Sequence, residues 1–199
     1  MASQVDIANM ALSHLGEGAT ISSFGEASVE AERVSTFYPV ARDALLEMHD
    51  WKFATKRVSL ALTTSDTFEW ALAYAIPSDM VRALAVLPET AKADESGEAF
   101  DQQLDADNAQ IVLTNCEEAT LKYTARVTDT TRFPPLFVEA LSWLLASYLA
   151  GPIIKGDTGR NVAKGCLQLF AAMLAQAKAS DANQRRIDPE HTPEWIGNR

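Results

Sequence analysis

The sequence has few residues of the kinds that build disulfide frameworks and metal sites. Its 199 residues include two cysteines and three histidines. Cys116 and Cys166 lie far apart, unlike the dense cysteines of small secreted domains, and we expect both to be buried thiols. No two histidines have a metal-ligand spacing, and neither cysteine belongs to a Cys-x-x-Cys pair. We therefore predict no metal site and no cofactor.

Motifs of common catalytic sites are also missing. The chain contains no Gly-x-Ser-x-Gly, no phosphate-binding Gly-x-x-x-x-Gly-Lys and no dinucleotide-binding Gly-x-Gly-x-x-Gly. His14 falls at a predicted helix end, where an imidazole complements the helix dipole without any further role. We predict no catalytic residue. A site assembled from distant positions stays open as an alternative.

Positive charge is scarce. The chain has 17 Lys and Arg against 27 Asp and Glu, a net charge of −10. An acidic chain is not attracted to phosphate backbones or anionic lipid, so wrapping nucleic acid or binding a membrane surface is disfavoured, whereas DNA sliding past without being gripped is compatible. The stretch from Glu89 to Asp107 has seven acids and one base. We predict that it forms a solvated loop and an edge strand.

No apolar run is long enough for a bilayer, and the N-terminal residues lack the basic and apolar segments of a secretory signal. The most apolar segment is predicted to be a helix from Pro135 to Ala150, ended by Gly151 and Pro152. About 16 residues make roughly 24 Å, against about 30 Å of hydrocarbon, so no membrane span is expected. Its apolar residues point in nearly every direction, so either it is the central helix or another subunit covers part of it. We predict that it is buried partly within the chain and partly by a neighbouring subunit. The candidate core or subunit-interface residues are Leu141, Trp143, Leu144, Leu145 and Tyr148.

Periodicity places helices at both ends of the chain and short strands between them. Helical spacing predicts helices from Gln4 to Leu15, from Val29 to Met48, and from about 156 to 186. Pro39 is expected to kink or break the second helix, and Gly165 to allow close packing of the last one. Strand spacing predicts strands near 58–62, 72–76, 81–87, 110–114 and 120–127. This order predicts an α+β fold, in which a helical bundle carries a small inserted antiparallel β domain.

The same pattern divides the chain into four parts. Residues 1–50 are the N-terminal helices of the bundle, 51–130 the β-rich insertion, 131–186 the C-terminal helices and 187–199 an extended docking tail. Trp51 and Phe53 stand at the first boundary, and we expect them to pack in the domain junction.

The tail, IDPEHTPEWIGNR, has no periodicity of its own. Its two prolines favour an extended backbone, and its large apolar side chains have no local core to enter. We predict that it docks onto a partner or a neighbouring subunit, and the alternative is a tail end that binds nothing. The candidate partner-binding residues are Pro189, His191, Pro193, Trp195 and Ile196.

Three segments together resemble a known family. They are ARDALLEMHDWKFATKRVSLAL, AYAIPSDMVRALAV and LKYTARVTDTTRFPPLFVEALSWLLASYLAGPI. In this order they are similar to the tail tubular protein A family, the head-to-tail adaptors of short-tailed bacteriophages. The markers are Trp-x-Phe-Ala at Trp51–Ala54, Ile-Pro-x-Asp at Ile76–Asp79 and Tyr-x-x-x-Val-Thr-Asp at Tyr123–Asp129, with Phe-Pro at Phe133 leading into the apolar helix. The resemblance runs from about Val5 to Ala179 and leaves out the acidic stretch and the tail.

The resemblance implies a structural protein of a virion tail, assembled in the host cytoplasm and located at the head–tail junction. It implies a homo-oligomeric, twelve-fold ring between the portal protein and the tail nozzle protein, with a channel through which DNA passes without specific binding. It implies no catalysis. The residue patterns alone leave a second class open, an acidic intracellular interaction or regulatory module.

Overall fold

The computed structural model describes residues 2–18, 20–89, 91 and 97–184. Within these residues the chain forms four α-helices, two at each end, and two three-stranded antiparallel sheets between them. The helices are α1 (Gln4–His14), α2 (Val29–Glu47), α3 (Pro135–Ile154) and α4 (Gly156–Ala182). The predicted α+β class is confirmed.

α1 begins and ends where local signals predict. The Ser3 hydroxyl accepts a hydrogen bond from the Asp6 amide, and the Asp6 carboxylate accepts one from the Ser3 amide at 2.8 Å. This reciprocal capping box satisfies amide groups that the first turn leaves unpaired. Gly16 follows the helix with a φ of 77°, a left-handed conformation that glycine adopts without strain.

α2 continues through Pro39 without a break, so the break allowed for at that position is not found. Proline removes one backbone hydrogen bond. Buried side chains on both sides of it, Val34 and Tyr38 before and Ala41 and Leu45 after, belong to one core. This shared packing holds the two halves of the helix together.

α3 runs four residues further than predicted, because Pro152 is accommodated in its last turn. Ile153, beyond that proline, packs against the core and holds the turn in place. At 20 residues, or about 30 Å, the helix invalidates the prediction that it is too short for a bilayer. Among the described residues α3 is the helix long and apolar enough to cross a membrane, and it is mostly buried within the chain. A core helix has the same length and composition.

The chain itself covers α3 on every side. Helices α1, α2 and α4 all pack against it. No side chain from Phe137 to Ala150 is exposed. Of the two alternatives for this helix, the structure therefore fits the central helix. Leu141, Leu144 and Leu145 are buried, while Trp143 and Tyr148 are half-buried.

The six strands form two sheets. In the first the strand order is β1-β6-β3, and in the second it is β2-β5-β4. The strands are β1 (Thr55–Ser59), β2 (Leu72–Ala75), β3 (Met80–Leu87), β4 (Phe100–Leu104), β5 (Gln110–Thr114) and β6 (Thr120–Ala125). The sheets are joined where the Glu98 amide donates to the Val86 carbonyl at 2.8 Å and where Leu62 pairs with Tyr74. They share a small apolar cluster that includes Tyr74, Val86 and Leu121.

The strand predicted near 58–62 is wrong, and the edge strand predicted in the acidic stretch is confirmed in part. The alternation of the strand predicted near 58–62 puts Val58, Leu60 and Leu62 on its inward face, but only Leu60 is buried, and Val58 and Leu62 are 38% and 64% exposed. The reason is that β1 is an edge strand that ends at Ser59, after which the chain leaves its sheet. The described part of the acidic stretch holds β4, which lies at the edge of the second sheet and is mostly exposed, as predicted.

Candidate functional site

An aromatic cluster joins the bundle to the β insertion. The Trp51 ring is buried, its indole N–H donates to the Leu45 carbonyl at 2.8 Å, and it meets Phe137 edge-on with centroids 5.0 Å apart. Phe53 lies 4.9 Å from Phe137 and 5.8 Å from Phe133. The structure thus places both predicted junction residues against the start of α3.

A buried carboxylate ties the end of α4 to this junction. The Asp181 side chain is 3% exposed. It accepts a hydrogen bond from the Lys52 amide at 3.0 Å and lies 3.2 Å from His49 Nε2. A buried carboxylate is costly without such partners. Sequence reasoning missed Asp181, because its partners lie about 130 positions earlier and no motif links them.

A cleft of about 250 Å³ opens beside the junction, between the start of α3 and the last turns of α4. Its walls include Trp51, Leu136, Phe137, Ala177 and Asp181. The described residues end at Gln184, which also lines this cleft. The predicted tail residues Pro189, His191, Pro193, Trp195 and Ile196 lie outside the described residues.

Asp79, directly before β3, forms hydrogen bonds with side chains of the other two strands of the first sheet. Its carboxylate accepts hydrogen bonds from Lys56 Nζ and, at 2.9 Å, from the Tyr123 hydroxyl. Hydrogen bonding by Lys56 is the main reason that the pKa of Asp79 is lowered. The Asp79 carbonyl also accepts from the Arg126 amide at 2.7 Å. Asp79 and Tyr123 belong to two different marker motifs, which this contact brings together.

The predicted minor role of His14 needs correction. Its ring stacks on Trp143 with centroids 3.6 Å apart, and its Nε2 lies 3.0 Å from the Ser142 hydroxyl. That hydroxyl donates to the Glu139 carbonyl at 2.8 Å, so His14 Nε2 is the donor toward it. Burial lowers the pKa of His14. The residue therefore fastens α1 to α3, beyond any interaction with the helix dipole.

Among the described residues, the two cysteines are buried and apart from any cluster of titratable side chains that could hold a metal ion. Cys116 and Cys166 are buried and free, as predicted, and burial raises the pKa of both thiols. A raised pKa leaves little of the nucleophilic thiolate at neutral pH. In the part of the chain that the structure describes, no group of three or more His, Cys, Asp and Glu side chains is arranged to hold a metal ion.

The exposed side of α4 is unusual for a helix in water. Beyond Lys164, the fully exposed positions from Leu167 to Ala182 are occupied by Leu, Gln, Ala and Ser, and Lys178 is half-buried. Leu167 and Leu169 are each 45% exposed. A surface helix normally carries charges opposite its buried stripe. Sequence reasoning missed this surface, although the signal is visible as 13 residues without charge, 165–177.

A second cleft, of about 390 Å³, lies at the tip of the second sheet. It is lined by Phe68, Leu104 and Ile111 together with the carboxylates of Asp66 and Asp105. Phe68 is 73% exposed. The Asp105 carboxylate is already occupied, because it accepts from the Asp107 and Ala109 amides and from the Ser65 hydroxyl. The apolar side chains, rather than free carboxylates, are the notable feature of this tip.

Comparison with known proteins gives no relative, since no family model and no curated protein matches this chain. The three quoted segments and the contacts of the described residues are therefore the observations that bear on function.

Proposed function

We propose that this chain is a structural head-to-tail adaptor of a bacteriophage virion. In this proposal it is one subunit of a twelve-fold ring that lies between the portal protein and the tail nozzle protein. The observation that carries the proposal is the ordered set of three segments similar to the tail tubular protein A family. Marker residues from different motifs also meet in space, since Phe53 packs against Phe133 and Asp79 binds Tyr123.

Two further features support an adaptor. The helices from both ends of the chain form one bundle and the strands form an insertion, as the resemblance implies. The chain also has ten more negative than positive charges, which suits a channel wall past which DNA slides without being held. An adaptor needs no catalytic residue, and we propose that the protein is not an enzyme.

The tail completes the proposal. It contains Trp195 and Ile196, apolar side chains of the type that anchors interfaces. We propose that residues 187–199 bind the portal or the neighbouring subunit. Many copies in a ring compensate for weak binding by each tail.

The test measures the mass of the purified chain with and without portal rings of the same phage. An adaptor gives a complex with a fixed ratio of chains to portal subunits. A chain ending at Arg186 and a full-length Trp195→Ala variant then test the tail. Unchanged affinity of both folded variants for the portal would remove the tail from the interface and leave the adaptor role intact.

One observation favours a second candidate, an acidic intracellular interaction or regulatory module. The chain alone covers α3, so the apolar surface of that helix gives no reason to expect another subunit. A regulatory module would stay small in the same mass measurement and would not bind portal rings.

A further inference from the structure

The exposed face of α4 has a counterpart elsewhere on the same chain. The outer side of α2 exposes Val29 and Val40, which are 59% and 56% exposed. Single exposed apolar residues are common, but apolar residues that recur on one helix face mark an interaction surface. α2 and α4 each pack along α3 rather than along each other, so neither face is covered by the other within one chain.

The two faces carry opposite charge. On α4 the exposed or half-buried charged residues are two cations, Lys164 and Lys178, apart from the Asp157–Arg160 ion pair. On α2 they are three anions and one cation, apart from the Arg42–Asp43 ion pair. The members of this second set are Glu30, Glu32, Glu47 and Arg33. Between these charges the exposed residues of α2 are Ser35, Thr36, Pro39 and Val40. Uncharged centres flanked by opposite charges are complementary in the way that selects one partner and one orientation.

We propose that the uncharged face of α4 binds the outer face of α2 in a second copy of this chain. Such a contact joins two different surfaces, so each copy still offers one free face of each kind. Contacts of this head-to-tail type close into a ring when the rotation between copies permits. The inference rests on the proposed ring and names the surfaces that build it.

The first experiment introduces a charge into the α4 face. Ala171 is exposed, so Ala171→Glu leaves the monomer folded but buries an unpaired carboxylate in the contact. We expect self-association, measured by sedimentation, to weaken at least about tenfold. The matched control is Asn161→Glu, which adds the same charge at an exposed position near the start of the same helix. Equal association of both variants and the wild type would overturn the inference.

The second experiment identifies the face that α4 meets. Chains with Ala171→Cys are mixed with chains carrying Val40→Cys and treated with a short bis-maleimide, with wild type as the control for the buried native thiols. We expect cross-linked dimers in the mixture and few in either variant alone. Strong cross-linking of Ala171→Cys to itself would show an α4–α4 contact and overturn the assignment to α2.

The outcomes also separate this inference from the proposed function. Chains that assemble on portal rings without any cross-link at Ala171 would reject the α4–α2 contact while the adaptor role stands. Chains that remain monomeric at every concentration and ignore portal rings would reject both.

Discussion

The helical bundle and the β insertion are stabilised in different ways. In the bundle, three helices surround α3, and their buried side chains form one continuous apolar cluster. In the insertion, the buried side chains divide into two smaller clusters, and Leu62, Phe68 and Leu104 face solvent. Small sheets bury little apolar surface. We infer that the bundle supplies most of the stability of the domain.

Two kinds of contact join the bundle to the insertion, partly exposed ion pairs and buried side chains. Arg126 pairs with Asp43, and Arg82 pairs with Asp50, but these side chains are partly exposed. Exposed ion pairs contribute little, because water and salt screen them. The buried aromatic junction and the Asp181 carboxylate therefore couple the insertion to the bundle.

The largest predicted effect compares a core position of the bundle with an exposed position of the insertion. Leu141→Ala should lower the free energy of unfolding by about 2–5 kcal/mol, because it leaves a cavity beside α3. Leu62→Ala, at a side chain that is 64% exposed, should change it by about 0.5 kcal/mol or less. Urea unfolding followed by circular dichroism measures both. Similar losses for the two variants would contradict the view that the bundle carries the stability.

The next effect tests the buried polar link. Asp181→Ala should lower the free energy of unfolding by about 1–3 kcal/mol, since it removes a buried carboxylate that accepts the part-buried hydrogen bond of the Lys52 amide. Ser180→Ala, at the exposed neighbouring position, is the matched control. A loss no larger than that of the control would mean that desolvation of the carboxylate offsets its hydrogen bonds.

A pair of glycines in α4 gives predictions of opposite sign. A Cβ on Gly159 would lie 2.9 Å from the carbonyl oxygen of Ala150, so Gly159→Ala should destabilise the domain by about 1–3 kcal/mol. Gly165, which we expected to allow close packing, has nothing within 4 Å of such a Cβ. Gly165→Ala should therefore stabilise the domain by up to about 1 kcal/mol through helix propensity. Thermal unfolding separates the two, and a change in the same direction would contradict the packing of α4 on α3.

These glycines show what sequence reasoning can and cannot reach. The start of α1 was predictable, because Ser3 and Asp6 act on each other three residues apart. The choice between Gly159 and Gly165 was not, because it depends on which turn of α4 approaches α3. The end of α3 was misjudged for the same reason, since tertiary packing of Ile153 overrides the local effect of Pro152.

In the candidate sites, too, local patterns were predictable from the sequence and long-range contacts were not. Trp51 was predictable as a junction residue, because the apolar period changes there from helical to strand-like. Asp181, which accepts from the neighbouring Lys52 amide, was not, since a lone Asp in a helix resembles any solvent-facing residue. The uncharged face of α4 was readable as a run without charge, but only the structure shows that its residues point away from α3.

The smallest predicted effect is a pH dependence that originates in the bundle. Burial lowers the pKa of His14, and the nearby Glu139 carboxylate acts in the opposite direction with a smaller effect. The pKa of His14 in the folded chain therefore lies below the ordinary value of about 6.5. At pH values between these two pKa values, the unfolded chain binds more protons than the folded chain. The contribution of neutral His14 to stability is fully present above about pH 6.5. It is lost as the pH falls through that value toward the folded pKa.

A His14→Gln variant isolates this contribution. Gln retains a side-chain amide donor for the Ser142 hydroxyl but does not titrate. Between about pH 7.5 and 5.5, the wild type should lose more stability in urea unfolding than His14→Gln, because only the wild type must protonate an imidazole stacked on Trp143. His49→Gln serves as the control, since it removes a histidine at the junction and keeps His14 in place. If His14→Gln retains the full pH dependence of the wild type, the burial of His14 between α1 and α3 is not the source, and groups outside the bundle core govern the response to acid.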